Sequence, residues 1–409
     1  MHGSQQEHFI GLDIGTSTVR CVIGMFDPGG SNKPSIIGHG TAPNQGMRRG
    51  AVVHPDEVAE AIVRAVTEAE RISGMSIKHA TVNVNGSHVE GINTQGVIAI
   101  SAANREIITE DRLRVEEAAT IVNLPANREI VQFFAKNYSL DGQRNIKDPV
   151  GMHGVRLEVD AHIVTASSPN LRSLDKALET AEVEPVHHTV SSLAAAEAVL
   201  SRQQKEAGTA LLDIGAGTTN LIIFEDGEVQ HVAVLPIGGQ HITNDLAIGL
   251  RTDLDIAEAV KLKHADLHQN PKKMNAIVKV GDKVQNFKSE DIAMIVEARV
   301  DELLEYVDKE LSKIKRSRKL PGGIVLTGGT AKLPGIEEFT REKLQLSARV
   351  GKLQNISGLV DTVEDPSFTV VVGLMMLDML LLPSAPMAGG TAGDNARGLL
   401  NTLFGHWRR

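Results

Sequence analysis

The chain has 409 residues, a formal net charge of −9 and a single cysteine. Its length allows two or more domains with sizeable cores, and its negative charge argues against nonspecific nucleic-acid binding, so no nucleic-acid partner is expected. Because Cys21 is the single cysteine, no disulfide can form within the chain, which fits a reducing compartment. Its apolar neighbours favour a core thiol over a catalytic one.

Membrane-spanning and secretory segments are not expected. The first eight residues are polar and lack the apolar centre of a signal peptide. No apolar run reaches the roughly 20 residues that a spanning helix needs. The closest run, residues 370–382, is interrupted by Gly373 and Asp378 and therefore predicts a buried helix.

The first part of the chain predicts an α/β unit that begins with a hairpin. Two apolar runs within residues 9–26 flank a turn at residues 15–17. Apolar residues then recur at helical spacing over residues 55–73, and a β-branched strand follows over residues 80–84.

Residues 85–163 have a different texture and predict an inserted α+β subdomain. Short strand candidates at 96–100, 128–134 and 155–163 flank a helix at 109–121. The insertion shows no metal-binding or nucleophile constellation, so a packing module and a docking surface are equally plausible roles.

The opening motif then returns 200 residues later. Residues 12–20 read LDIGTSTVR and residues 212–220 read LDIGAGTTN, which predicts two similar halves with one hairpin each. Glycines let backbone N–H groups face an anion, so two such turns could clamp the phosphates of one nucleotide from opposite sides. Asp213, at a strand end, suits a hydrated Mg²⁺ ion. Neither copy is a Walker loop.

Two further glycine-rich turns occur in the second half. A strand at 232–236 leads into Gly238 and Gly239 at the start of a helix, where free N–H groups could face an anion. A strand at 324–326 leads into the sequence Thr-Gly-Gly-Thr at 327–330.

Three elements separate these two turns. A helix at 255–267 carries Glu258 and Lys261, a hairpin is predicted at 276–287, and the longest helix signal covers 289–312.

The C-terminal segment predicts a membrane-binding tail. Residues 383–395 have the composition of a flexible linker. In residues 396–409 one helix face would be apolar and aromatic while arginines supply positive charge, a combination typical of an interfacial helix. The alternative is a terminal helix docked on the protein's own body; the linker favours the membrane. The proposed lipid contacts are Leu399, Leu400, Leu403, Phe404, Trp407 and Arg408.

Together these motifs resemble the actin, sugar-kinase and heat-shock ATPase superfamily, and within it the FtsA family of bacterial cell-division actins. The likeness includes the order of motifs, the insertion, the segments at 237–245 and 297–299, and the tail. It implies an α/β, actin-like ATPase fold of two ribonuclease-H-like halves around a nucleotide cleft, with an α+β insertion subdomain.

The resemblance also implies a ligand set, with ATP and Mg²⁺ as cofactors. Asp13 and Asp213 would hold the metal through water. The remaining nucleotide-binding positions would be Gly15, Thr16, Ser17, Gly215, Gly217, Thr218, Thr219, Gly239, Glu258, Lys261, Gly328, Gly329 and Thr330.

The same resemblance implies partners and a location. The chain would polymerise on the cytoplasmic face of the inner membrane at the division septum, bind an anionic bilayer, and meet later divisome membrane proteins. It would bind the C-terminal peptide of FtsZ, with Arg299 as our candidate contact; a solvated helix charge is an equal alternative.

The implied division of the chain has eight segments. The first half comprises 1–84 and 164–206 around the insertion at 85–163. The second comprises 207–245 and 309–382 around a small FtsZ-docking subdomain at 246–308. The linker at 383–395 and the tail at 396–409 complete it.

One departure from the superfamily pattern concerns hydrolysis. Where hydrolysing relatives begin a helix with Glu or Gln, this chain has Ser191 and Ser192, and Glu197 lies two turns too far along. A serine cannot supply the same basicity, so we expect slow or absent hydrolysis. The rival hypotheses are a true ATPase or kinase of this fold, and a pilus-assembly or cell-shape actin.

Overall fold

The computed structural model describes residues 8–26, 33–101, 104–268, 275–281 and 283–381. The predicted linker and tail lie outside these residues. Strands and helices alternate through both halves, with their bounds as follows.

The first half and the insertion contain eleven strands and four helices in the described residues. These are β1 His8–Ile14, β2 Thr18–Phe26, β3 Pro34–Pro43, β4 Met47–Arg48, β5 Ala51–Val52, α1 Pro55–Ser73, β6 His79–Val84, β7 Glu90–Ala99, α2 Thr109–Thr120, β8 Arg128–Leu140, β9 Gln143–Ile146, β10 Arg156–Ser167, α3 Ser168–Thr180, β11 Glu184–Val190 and α4 Ser191–Val199.

The described residues of the remainder add eight strands and seven α-helices. These are α5 Arg202–Ala207, β12 Thr209–Ile214, β13 Thr219–Glu225, β14 Glu228–Leu235, α6 Gly239–Gly249, α7 Leu254–His264, β15 Asn275–Val280, β16 Lys283–Lys288, α8 Ser289–Lys313, β17 Ile324–Thr327, α9 Ile336–Leu344, β18 Ala348–Val350, β19 Ser357–Gly358, α10 Val360–Val363 and α11 Thr369–Leu381.

The two halves share one strand order, which confirms the repeat. In the first sheet β3, β2, β1, β6 and β11 are neighbours in that order; in the second, β14, β13, β12, β17 and β18 are. The first three strands of each set are antiparallel, and the last two run parallel to β1 or β12. The carboxyl ends of the parallel strands therefore meet the hairpin turns at one edge of each sheet.

Helices cover both faces of the first sheet, so most residues of its central strands β1, β2 and β6 are buried. Helix α1 packs on β2 and β3, and α11 packs on β1 and α4. The predicted apolar face of α1 (Val58, Ile62, Val66 and Ala69) is buried, and so is most of α11, as its apolar sequence predicts. Cys21 is buried in β2 and burial raises the pKa of its thiol, which makes it a core side chain.

The insertion has its own apolar core, but its strands extend the sheet of the second half. Residue Ala233 in β14 pairs with Glu90 in β7, and β10, β8 and β9 continue the same sheet. Strand β7 begins six residues before the predicted strand at 96, at Glu90. This longer β7 makes the junction, which no local pattern in the sequence indicates.

Among the described residues no helix is both long and apolar enough to cross a bilayer.

Candidate functional site

A cavity of about 410 Å³ lies where the two halves meet, with lining residues from both. The hairpin turns at 15–17 and 215–217 reach it from the two halves, and the turn at 327–330 adds a third side. The cavity therefore forms at the carboxyl ends of β12 and β17, the edge where ligands bind in open α/β sheets.

The two hairpin turns have the same internal geometry. Gly15 N donates to Thr18 O at 3.1 Å, and Gly215 N donates to Thr218 O at 2.9 Å. The turns also approach each other closely, because a Cβ added at Gly217 would lie 2.8 Å from Thr16 Oγ1. A side chain at Gly217 would push the halves apart.

The two aspartates at the hairpin turns are buried, with exposed fractions of 8% for Asp13 and 6% for Asp213. Burial raises the pKa of Asp13 to about 7, against the opposing charge of Arg20 and with a further rise from Asp213. Burial also raises the pKa of Asp213 to about 6, while a bond from Asn220 and the charge of Arg20 oppose the rise.

This pair of carboxyl groups fits a hydrated divalent cation. A cation between them would hold both ionised and offset the desolvation that raises their pKa values. In the described part of the chain, no group of three or more His, Cys, Asp or Glu side chains is arranged to hold a metal directly. Two carboxylates suit Mg²⁺, which keeps several of its waters.

The third turn packs directly on the second hairpin. Gly328 has a φ of +86°, and a Cβ there would lie 2.5 Å from Ile214 O and 2.6 Å from Asp213 Oδ1. Thr330 Oγ1 donates to Gly215 O at 3.1 Å, and Gly239 N donates to the same oxygen at 2.9 Å. Glycine is required at 328 because backbone and carboxylate occupy the space of a side chain.

The predicted pair Glu258 and Lys261 lines another part of the cavity. Lys261 Nζ donates to Glu258 Oε2 at 2.6 Å, to Thr243 Oγ1 at 2.9 Å and to Gly239 O at 3.2 Å. These bonds join α7 to the start of α6, so the pair forms a fixed polar wall.

The structure brings all but two of the predicted nucleotide-binding residues to this cavity. The exceptions are Gly217, which contacts the opposite turn, and Thr219. The hydroxyl of Thr219 donates to Ile237 O at 2.8 Å inside the sheet. Successive strand residues face opposite sides, so Thr218 reaches the cavity while Thr219 does not.

The predicted contact Arg299 lies on α8, away from the cavity. Its guanidinium makes a two-point ion pair with Asp245, with Nη2 2.9 Å from Oδ1, and Nη1 donates to Glu302 at 2.5 Å. The predicted lipid contacts from Leu399 to Arg408 lie outside the described residues.

Several lining residues were not predicted from the sequence: Arg20, Asn85, Lys332 and Ser367. Only Arg20 carried a signal, because it occupies the repeat position of Asn220. The register confirms this equivalence, since Asp13 pairs with Arg20 and Asp213 with Asn220. The other three come from loops and short elements outside the repeated motif.

Ser191 lines the cavity at the start of α4, where the superfamily pattern predicts a water-orienting residue. The buried Asn83 donates from Nδ2 to Ser191 Oγ at 3.2 Å, and its Oδ1 accepts from Ile14 N at 2.7 Å. Asn83 thus ties Ser191 to the end of β1.

Comparison with solved structures identifies the class of fold. The structure is similar to PilM in a PilM–PilN type IV pilus biogenesis complex (TM-score 0.66, 19% identity, 91% of this chain and 99% of that one). It is also similar to MreB5 of Spiroplasma citri bound to ADP (TM-score 0.56, 14% identity, 92% and 97%) and to a MamK double helical filament (TM-score 0.53, 13% identity, 91% and 98%). The fold is therefore that of the actin-like ATPases, with an inserted subdomain.

Sequence comparison narrows the class. The family model for cell division protein FtsA matches residues 210–373, and that for the SHS2 domain inserted in FtsA matches 86–165. Cell division protein FtsA of Pseudomonas aeruginosa is 36% identical over 371 residues (90% of this chain, 88% of the relative), and that of Bacillus subtilis 38% over 376 (91% and 83%). The chain belongs to the FtsA family of cell division proteins.

Proposed function

We propose that the chain is an ATP-binding, actin-like division protein that polymerises at the inner membrane and tethers FtsZ filaments there. The observation that carries nucleotide binding is the approach of two equivalent Asp-Gly turns across one cavity, with buried carboxylates behind them. Phosphates would bind the backbone N–H groups and hydroxyls of the turns, and Asp13 and Asp213 would hold the waters of Mg²⁺. Gly239, Glu258, Lys261 and residues 328–330 would line the ribose and adenine.

ATP would act mainly as a structural ligand for assembly. The acidic side chains that line the cavity are Asp13, Asp213 and Glu258 in the described residues. The first two would hold the waters of the metal, and Glu258 is bound by Lys261 at 2.6 Å. Ser191 is a weak base, so water activation is poor. Turnover of roughly 1–100 per second, the range typical of kinases, would contradict this proposal and favour the enzyme hypothesis.

The small subdomain at 246–308 would bind the FtsZ C-terminal peptide. Several large aliphatic side chains are exposed there, which supports a docking surface. They are Ile248, Leu254, Ile277, Val284 and Met294. Arg299 would supply the charge for an acidic peptide group, which would compete with the half-exposed Glu302.

The tail at 396–409 would bind the anionic bilayer reversibly, and polymerisation would strengthen binding through avidity. The likeness to the MamK filament supports assembly of this fold, and the inserted subdomain would offer a surface to later divisome membrane proteins.

Co-sedimentation with anionic liposomes, with and without Mg·ATP and the FtsZ peptide, tests lipid, nucleotide and partner dependence together. We expect pelleting that requires the tail and increases with Mg·ATP, with the peptide retained in the pellet. Deletion of residues 399–409, or Trp407→Glu, should abolish pelleting. A matched surface change, Glu117→Gln, should leave it unchanged. Unchanged pelleting of the tail variants would contradict the membrane role.

A further inference from the structure

A second cavity, a groove of about 800 Å³, lies at the opposite edge of the first sheet from the nucleotide cavity. Its walls are the C-terminal halves of α1 and α3 and the turns that lead into β6 and β11. We call it the basal groove. It lies at the amino ends of β6 and β11, whereas Asn85 and Ser191, just beyond their carboxyl ends, line the nucleotide cavity.

The basal groove has an acidic rim. Its carboxylates are Glu70, Asp175, Glu179, Glu182 and Glu184, against the cation Lys78 and the imidazole of His79. Some of these groups already have partners. Asp175 bonds to His188 at 2.9 Å, Glu184 lies 3.6 Å from His79, and Glu70 accepts from Ile77 N at 2.7 Å.

Two carboxylates of the rim are open to a partner. Glu179 and Glu182 are exposed, and neither makes a side-chain bond or ion pair within the described residues. Beneath the rim the groove is apolar, with Val66, Ile77 and Val183 buried at its base and Val63 45% exposed at its side. A ligand that is basic on one face and apolar on the other would complement both parts.

The described chain ends at the same edge of the first sheet as this groove, but α11 packs on the opposite face of the sheet from α1. Helix α11 runs from Val370, at the nucleotide cavity, toward the amino ends of β1 and β6. Near its end, Asp378 accepts from Thr81 Oγ1 at 2.6 Å and from Ile10 N at 3.0 Å. Thr81 is two strand residues, about 6.6 Å, from His79 on the groove wall. Leu381, the last described residue, is three helical residues, about 4.5 Å, beyond Asp378.

We infer that residues 396–409 dock in the basal groove of their own subunit when no bilayer is available. The inference rests on the proposed membrane role of the same segment, because the groove and the bilayer would compete for the apolar face of residues 396–409. Arg397, Arg408 and Arg409 complement the acidic rim. Leu399, Leu403 and Trp407 complement the apolar side and base.

Tethering makes a weak contact sufficient. Residues 383–395 separate the tail from the fold, and a Gly-rich chain of thirteen residues has a root-mean-square reach of about 20 Å. That reach is about twice the ~10 Å between packed layers, so the linker is long enough to pass around the sheet edge from the face of α11 to that of α1 and α3. Short flexible tethers give effective concentrations in the millimolar range, so a contact with an intrinsic Kd of about 1 mM is already half occupied.

Docking would lower the apparent membrane affinity in proportion to the fraction of chains that stay undocked. If nine-tenths of the tails are docked, the apparent lipid affinity falls about tenfold, and removal of the groove charge restores it. The groove would thus hold single subunits off the bilayer, while an assembly of many tails overcomes the competition through avidity.

Trp407 is the only tryptophan of the chain, so its fluorescence reports on the tail of the intact protein. In lipid-free buffer we expect a blue-shifted emission and weak acrylamide quenching relative to the urea-unfolded chain. Reversal of two rim charges, Glu179→Lys with Glu182→Lys, should shift the emission to that of hydrated indole. The control is Glu60→Lys with Glu117→Lys, which changes the net charge equally at two exposed helix positions outside the groove. It should match the unaltered chain.

Two lipid-free results would overturn the inference: a hydrated indole in the unaltered chain, or no response to the rim reversal when the control also shows none. Shielding that disappears on dilution would assign the groove to the tail of a second copy, against the proposal. Liposome titration is read separately. If neither unaltered nor control chain binds anionic vesicles, the membrane role fails, while the lipid-free fluorescence still decides docking.

Discussion

The two halves carry the same hairpin but compensate its aspartate differently. In the second half, Asn220 donates to Asp213 at 2.9 Å, so a neutral amide holds the carboxylate in one orientation. In the first half, the equivalent residue is Arg20, which acts on Asp13 through its charge and makes no ion pair within 4.0 Å among the described residues. The carboxylate of the second hairpin is therefore held by a hydrogen bond, whereas the guanidinium donors of Arg20 in the first hairpin stay available to a ligand.

Arg20 is the unusual side chain of this comparison. Its guanidinium lies 5.4 Å from the centre of the Phe368 ring, its Nε is buried without a hydrogen-bond partner, and it lines the cavity. The other lining lysines are engaged, Lys261 by Glu258 and Lys332 by Asp365. Arg20 is thus the cation of the described cavity wall that is free to bind phosphate.

The largest expected effect is a dependence of folding stability on pH, since both aspartates have raised pKa values in the folded state. The folded protein binds more protons than the unfolded one between the ordinary value of 3.8 and about 7 for Asp13, or about 6 for Asp213. Stability is therefore highest below pH 3.8 as far as these groups decide, and it falls as pH rises through those values. The loss is on the order of several kcal/mol for two buried carboxyl groups.

Urea denaturation of the nucleotide-free, Mg²⁺-free chain checks this prediction. Asp13→Asn should be more stable than the unaltered chain at pH 7.5 and similar to it at pH 4.5, because asparagine mimics the protonated acid. Asp213→Asn should show the same pattern with a smaller gain, since Asp213 already has a donor in Asn220. Equal stability of the three chains at both pH values would contradict the pKa assignment.

The next largest expected effect is a loss of ATP affinity when Arg20 is replaced. Arg20→Ala removes the proposed phosphate ligand and should weaken ATP binding by about 1.5–3 kcal/mol, or roughly 10–100-fold, as for hydrogen bonds to charged groups. Arg20→Lys should retain part of the affinity, and Arg20→Asn, which copies the second hairpin, should behave like alanine. Titration calorimetry with ATP, with and without Mg²⁺, measures these values. An unchanged affinity for Arg20→Ala would show that the first hairpin binds phosphate through its backbone alone.

Most of the fold could be predicted because its elements have strong local patterns. The helix predicted at 55–73 is Pro55–Ser73, and the one predicted at 289–312 is Ser289–Lys313. The repeated Asp-Ile-Gly motif predicted two equivalent hairpins, and their common strand order confirms them. Because glycine, aspartate and hydroxyl residues recur at the same spacing in both motifs, the sequence alone predicted that the two turns line one cavity.

What could not be predicted depends on distant pairing or on one-residue precision. The junction of Ala233 with Glu90 leaves no local periodicity, so the sheet shared by insertion and second half was not foreseen. Thr219 lies in the predicted phosphate-binding motif, but its side chain is on the strand face that points away from the cavity. The presence of a hydroxyl in the motif does not indicate which face it occupies. Arg20 carried a signal only through its repeat equivalence to Asn220, and its place opposite Asp13 depends on the hairpin register.

The smallest expected effect is a loss of stability when the bond from Asn220 to Asp213 in the second hairpin is removed. Asn220→Ala removes the donor to Asp213 and should destabilise the nucleotide-free chain at pH 8 by about 1–2 kcal/mol, the cost of an unsatisfied buried acceptor. The cost is limited because the carboxyl group can take up a proton instead, so the loss should shrink as pH falls toward 5. ATP affinity should change less than in Arg20→Ala, since the amide faces the carboxylate and not the ligand. Urea denaturation at the two pH values and the same calorimetry decide this. A larger affinity loss for Asn220→Ala than for Arg20→Ala would reverse the assigned roles, because the fixed carboxylate would then govern nucleotide binding more than the free guanidinium.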